Sequence, residues 1–166
     1  MTDATRRGPG PATTSGLAGT ATKLGRGAVA GLAATLAMSA VMLGARRLRG
    51  EGEPGPEIVT QRALGQAGAS VGEGAEHALA TVAHLAYGCS AGALFGLARP
   101  WLPLDRRLRG PLFGLALGVA GYEGWVPALG LFPPLHEQRR ERRVPLLAAH
   151  LVYGWVLGAL AGGGPR

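Results

Sequence analysis

Residues 144–162 read Val-Pro-Leu-Leu-Ala-Ala-His-Leu-Val-Tyr-Gly-Trp-Val-Leu-Gly-Ala-Leu-Ala-Gly, with no Asp, Glu, Lys or Arg. At about 1.5 Å per residue, a helix of this length spans roughly 28 Å, the thickness of a bilayer's hydrocarbon core. Three further stretches share the pattern: residues 28–45, 78–98 and 111–132. The four together hold 80 of the 166 residues but only one charge, Glu123, while the other 26 charges fall in the remaining 86 positions. A soluble helix needs a polar stripe facing water. Residues 28–45 offer only Thr35 and Ser39 for that purpose, and residues 144–162 only His150 and Tyr153. The stretches lack the polar alternation of barrel strands, and only helices or closed barrels satisfy a backbone in lipid. The expected fold is therefore all-α, an integral membrane four-helix bundle.

Around these stretches the chain is small-residue-rich and basic. Glycine and alanine fill 58 positions, and 16 of the 17 basic residues are arginine, giving a net charge of +7. The arginines cluster next to the predicted helix ends, where they can meet lipid phosphates. No aromatic-interleaved basic patch appears, so the charge does not point to nucleic acid. Residues 1–27 read as a disordered tail. Residues 46–77 form the longest loop, with a short helix expected over 56–64, proline in its first turn, either resting on the membrane surface or solvated. Flanking basic residues divide nine to eight between the two sides, so the positive-inside rule does not choose an orientation. Cytoplasmic termini are the working expectation.

The chain also repeats. Ala83-His84-Leu85-Ala86-Tyr87-Gly88 returns as Ala149-His150-Leu151-Val152-Tyr153-Gly154, and nine of fourteen positions match at an offset of 66. Arg26-Gly27 and Gly31-Leu32-Ala33 return more faintly as Arg109-Gly110 and Gly114-Leu115-Ala116. Two helices separate equivalent positions, so the expected architecture is two helical hairpins of the same membrane orientation. Gly88, Gly92 and Gly96 recur every fourth residue, as do Gly154, Gly158 and Gly162. Each set makes a groove on one helix face. In lipid, close backbone contact must supply the cohesion that grease burial supplies in water. The second and fourth helices are expected to pack through these grooves, within one chain or between chains of a homo-oligomer.

Polar groups inside the spans are few and costly. By depth, His84 and His150 sit about 9 Å inside the membrane edge and Tyr87, Tyr153 and Glu123 about 13 Å. Glu123 is thus expected to reach a tyrosine hydroxyl and a histidine, with a kink at Pro127 four residues on. Such a cluster serves either as a proton-responsive site or as hydrogen bonding between helices, and the second role is the commoner. No enzyme motif accompanies it. Arg140 stands where a zincin needs its second histidine, the lone Cys89 excludes a CxxC metal site, and no Walker or dinucleotide loop is present. No cofactor and no metal are expected.

Four elements together resemble the YagU-like group of small bacterial inner-membrane proteins: Gly31-Leu32-Ala33-Ala34-Thr35, the Pro56–Leu64 segment, the two His-Leu-x-Tyr-Gly helices, and the run Gly124-Trp125-Val126-Pro127-Ala128-Leu129-Gly130-Leu131-Phe132-Pro133-Pro134. The resemblance implies a multi-pass protein of the bacterial plasma membrane without established enzyme activity, in a group whose usual description mentions acid resistance. The expected function is that of a non-enzymatic membrane protein supporting envelope or pH-stress homeostasis. The alternative is a proton or small-solute transporter subunit using Glu123, His84 and His150.

Overall fold

The structure, a computed structural model, describes residues 12–49 and 55–162, and the described residues are helical with no strand. Helix α1 runs Ala12–Arg49, α2 Gly55–Gln66, α3 Glu73–Ala98 and α4 Arg106–Val119. After α4 the helix widens into a π segment, Ala120–Trp125, followed by the short α5, Val126–Ala128, and finally α6, Arg140–Gly162. Three helical stretches are long and apolar enough to cross a membrane: Gly16–Leu48, Glu73–Trp101 and Arg140–Gly162. The tail expected to be disordered is helical from Ala12 onward; its first eleven residues lie outside the described residues.

The fourth expected span, 111–132, is not one straight helix. Its regular part ends at Val119, and the backbone leaves helical geometry at Gly124 (φ −109°, ψ −107°). Proline explains the disruption. Pro127 has no N–H to give, and its ring opposes the carbonyl of residue 123 one turn back. The helix widens ahead of it, so that the Val126 N–H bonds five residues back to Gly121, and then breaks. Beyond α5 the chain turns through Gly130 (φ +68°), with Leu131 N–H bonded to the Val126 carbonyl at 3.1 Å and Gly130 N–H to that of Pro127 at 2.9 Å. This is a Schellman cap, and only glycine takes its left-handed position without cost. Gly68 (φ +66°) closes α2 in the same way.

Small residues such as Ala34 and Ala149, both 0% exposed, share the interior with Phe95, Tyr153 and Leu157, whereas Leu36 is 57% and Trp155 67% exposed on the outside. Small residues inside let backbones approach, and large apolar ones outside suit acyl chains. Helix α1 packs along α3 and α6, α4 along α6, and α2 against α3.

The glycine grooves are used, but with other partners than expected. The groove of α3 faces α1: a methyl group on Gly31 would run into the Gly88 carbonyl oxygen and lie 3.0 Å from Gly92 Cα, and one on Gly27 would meet the carbonyl of Gly92. The groove of α6 faces α4: a methyl on Gly110 would meet the Gly154 carbonyl and lie 2.7 Å from Gly158 Cα. Gly96 faces Gly27 Cα, at 3.3 Å from an added Cβ, while Gly162 has nothing within 4 Å and takes no part. The grooves of α3 and α6 therefore do not meet each other. The groove of α3 is filled by Gly27 and Gly31 of α1, and that of α6 by Gly110 and Gly114 of α4, which supply the matching small faces.

The two seams differ in register by one helical turn. Gly31 opposes the carbonyl of Gly88, but its counterpart Gly114 opposes that of His150, the counterpart of His84. The slip amounts to about 6 Å. At the opposite end from α2, Asp105 caps α4 by accepting the Arg107 N–H at 2.8 Å. Arg99 donates to the carbonyl of Ala161 and Arg106 to that of Gly162, so two arginines close the C-terminal end of α6.

Candidate functional site: a cavity at the broken helix

Near the α2 end of the molecule the helices line a half-open cavity of about 250 Å³. Helix α1 contributes Thr35 and Met38, α3 contributes His84 and Tyr87, and α6 contributes His150 and Tyr153. The π segment supplies Tyr122 and Trp125, and α2 closes the end with Val59 and Thr60. Among the described residues no Asp, Glu, Lys or Arg lines the space.

Four of the five polar residues singled out in the sequence, His84, Tyr87, His150 and Tyr153, thus share one cavity. The period of the helix puts each His and its Tyr, three residues on, on one face. Tyr153 is 1% exposed, and its hydroxyl donates to the Gly88 carbonyl at 2.8 Å, tying α6 to α3. Thr35, also 1% exposed, turns its hydroxyl back onto the Gly31 carbonyl at 2.8 Å. His150 is 6% exposed and donates from Nδ1 to the Leu146 carbonyl at 2.8 Å. Its ring lies over Gly118, where an added Cβ would come within 2.7 Å of Cγ, and meets Tyr122 edge-on at 6.0 Å. Tyr87 and Trp125, 40% and 43% exposed, touch at 5.8 Å between ring centroids and form the outer wall.

Glu123 is elsewhere. Its carboxylate accepts the His136 backbone N–H at 2.8 Å and pairs with His136 Nδ1 at 2.7 Å, outside the cavity. The depth expected for Glu123 presupposes an unbroken helix. One extra residue in a helical turn rotates every downstream residue by about 100°, and the π segment turns Tyr122 and Trp125 inward in place of Glu123. Glu123→Gln is accordingly expected to loosen the 133–137 turn, seen as faster amide exchange at His136, while the cavity and its contents stay unchanged.

Residues that the sequence reading missed are Tyr122, Trp125 and Thr60. The available signal was the triplet Gly121, Gly124 and Pro127, which marks a helix unable to stay regular. Helix α2, expected either on the membrane surface or in solvent, closes one end of the cavity. Ile58 and Val59 pack on Val126, Leu131 and Phe132, Arg62 Nη1 donates to the Leu131 carbonyl at 3.3 Å, and Gln66 Nε2 donates to that of Leu129 at 3.0 Å.

No known protein family, characterised protein or solved structure matches this chain.

Proposed function

We propose that the chain is a multi-pass protein of a bacterial plasma membrane, without enzymatic activity, that holds a small lipophilic solute inside its helices, as a binding protein or as the subunit of a small-solute transporter. The observation that carries this reading is the cavity at a broken helix. Irregular backbone at membrane depth is tolerated where it lines a cavity or is buried in protein, and such breaks form solute sites in transporters. On this reading α4 with its π segment makes the fourth crossing, and the bundle consists of two hairpins of one orientation, each zipped by glycines. A proton relay through Glu123 has less support, because the carboxylate is occupied by His136 away from His84 and His150.

The test is ligand entry. The full chain in lipid nanodiscs is mixed with 4-fluorotoluene and followed by ¹⁹F NMR. A second resonance, distinct from that of probe dissolved in lipid, is the expected result. Ala80 lines the cavity and is 1% exposed, so Ala80→Phe should place a ring there and reduce bound probe at least about tenfold, the factor that 1.4 kcal/mol represents. Wild-type protein with no protein-bound resonance at saturating probe would overturn the proposal.

A further inference from the structure

We infer that the cavity selects a neutral, single-ring molecule bearing a hydroxyl group, a phenol or quinol, and that His150 Nε2 accepts the hydrogen bond that this hydroxyl donates. The inference rests on the membrane-cavity reading above and adds the ligand's chemistry.

Size sets the first limit. An apolar cavity of roughly 150 Å³ is known to take benzene. The present volume of about 250 Å³ admits one substituted ring. Charge sets the second. With no charged side chain on the wall, an ionic ligand would be buried without a partner, at a cost that excludes it. The same argument keeps the imidazole neutral, since no carboxylate lines the cavity to pair with an imidazolium.

Hydrogen bonding sets the third limit, and it is directional. A backbone carbonyl only accepts. The 2.8 Å contact to the Leu146 carbonyl therefore places the imidazole proton of His150 on Nδ1. Nε2 then carries the lone pair. It has no protein partner among the described residues, although the residue is only 6% exposed. The hydroxyls of Tyr153 and Thr35 already donate elsewhere, to Gly88 and Gly31. His150 Nε2 is thus an open acceptor beside the lone pairs of two hydroxyl oxygens, while the hydroxyls of Tyr87, Tyr122 and Thr60 and the Trp125 N–H put donors on the same wall. A hydroxyl, which both donates and accepts, is the ligand group that suits such a wall. Aromatic walls at Tyr87, Tyr122 and Trp125 favour an aromatic carrier for it. The Tyr87–Trp125 pair is half-exposed on the outer wall, so on the membrane reading the ligand enters past it from the acyl chains.

The experiment compares 4-fluorophenol with 4-fluorotoluene, which replaces the hydroxyl by a methyl of similar size, each at equal concentration within the bilayer, using the nanodisc ¹⁹F measurement. Wild-type protein should bind the phenol about tenfold more tightly, the factor of one buried hydrogen bond. His150→Leu should bring the two to parity. Because that variant changes a buried side chain, a second readout uses the wild type alone. In ¹⁵N-histidine-labelled protein, the unprotonated nitrogen resonance of one imidazole should shift with the phenol and stay fixed with the toluene. Equal binding of both probes, or an undiminished phenol preference in folded His150→Leu, would overturn the donor assignment while leaving the cavity reading intact. Failure of both probes to bind would overturn the two together.

Discussion

Gly92→Leu is expected to part α1 from α3. A Cβ at this position would run into the Gly27 carbonyl oxygen and lie 2.7 Å from Gly31 Cα and 2.9 Å from Gly31 N. All three are backbone atoms of a helix, so no side chain can swing aside and the helices themselves must separate. In lipid that separation removes the close dispersion contact that holds them, with no hydrophobic term to compensate. The expected loss is about 3 kcal/mol, at the upper end for overpacking. It should appear as a fall of roughly 6–12 °C in the unfolding midpoint of detergent-solubilised protein, at about 2–4 °C per kcal/mol for this chain length. The control is Gly44→Ala in α1, where nothing lies within 4 Å. Removing a flexible residue from a helix interior there should leave stability unchanged or raise it by up to about 1 kcal/mol. Equal midpoints for Gly92→Leu and wild type would refute the seam.

Gly118→Leu tests the site through its foundation. The His150 ring rests on Gly118, with an added Cβ falling 2.7 Å from Cγ and 2.8 Å from Cδ2. The imidazole cannot simply lift away, since its Nδ1 is held by Leu146 and Tyr122 stands beside it. A leucine would drive the ring into the cavity. The expected cost is about 2 kcal/mol, together with loss of bound 4-fluorotoluene and 4-fluorophenol. Retained probe binding in a folded Gly118→Leu protein would show that the cavity does not depend on where His150 sits.

How much of this was legible in the sequence depends on the scale of the signal. Long uncharged runs fix helices, and the three continuous ones, around Ala34, Ala91 and Ala149, are present. Glycines spaced by four mark faces that permit close approach, and the faces are used. Spacing on one helix, however, says nothing about the partner. The Gly88–Gly96 face meets Gly27 and Gly31 because those residues lie opposite it across an antiparallel pair. Likewise His84, Tyr87, His150 and Tyr153 share a cavity because each pair lies on one helical face. Glu123 was misplaced because a π turn and the break at Gly124 alter rotation, which residue counting treats as constant. Pro127 announced a disturbance without giving its form. The closure of the cavity by α2 depends on Ile58 and Val59 meeting Leu131 and Phe132, some seventy residues away, and no local pattern encodes such a meeting.

The one-turn slip between the two glycine seams has a bearing on stoichiometry. On the proposed two-hairpin reading, a shared register would have given the recurring His and Tyr equivalent surroundings and the molecule two like compartments. With the slip, Thr35 stands against Gly88 while its counterpart Gly118 lies bare beneath an imidazole. The halves thereby cease to be interchangeable, and a titration should saturate at one guest for each polypeptide rather than two.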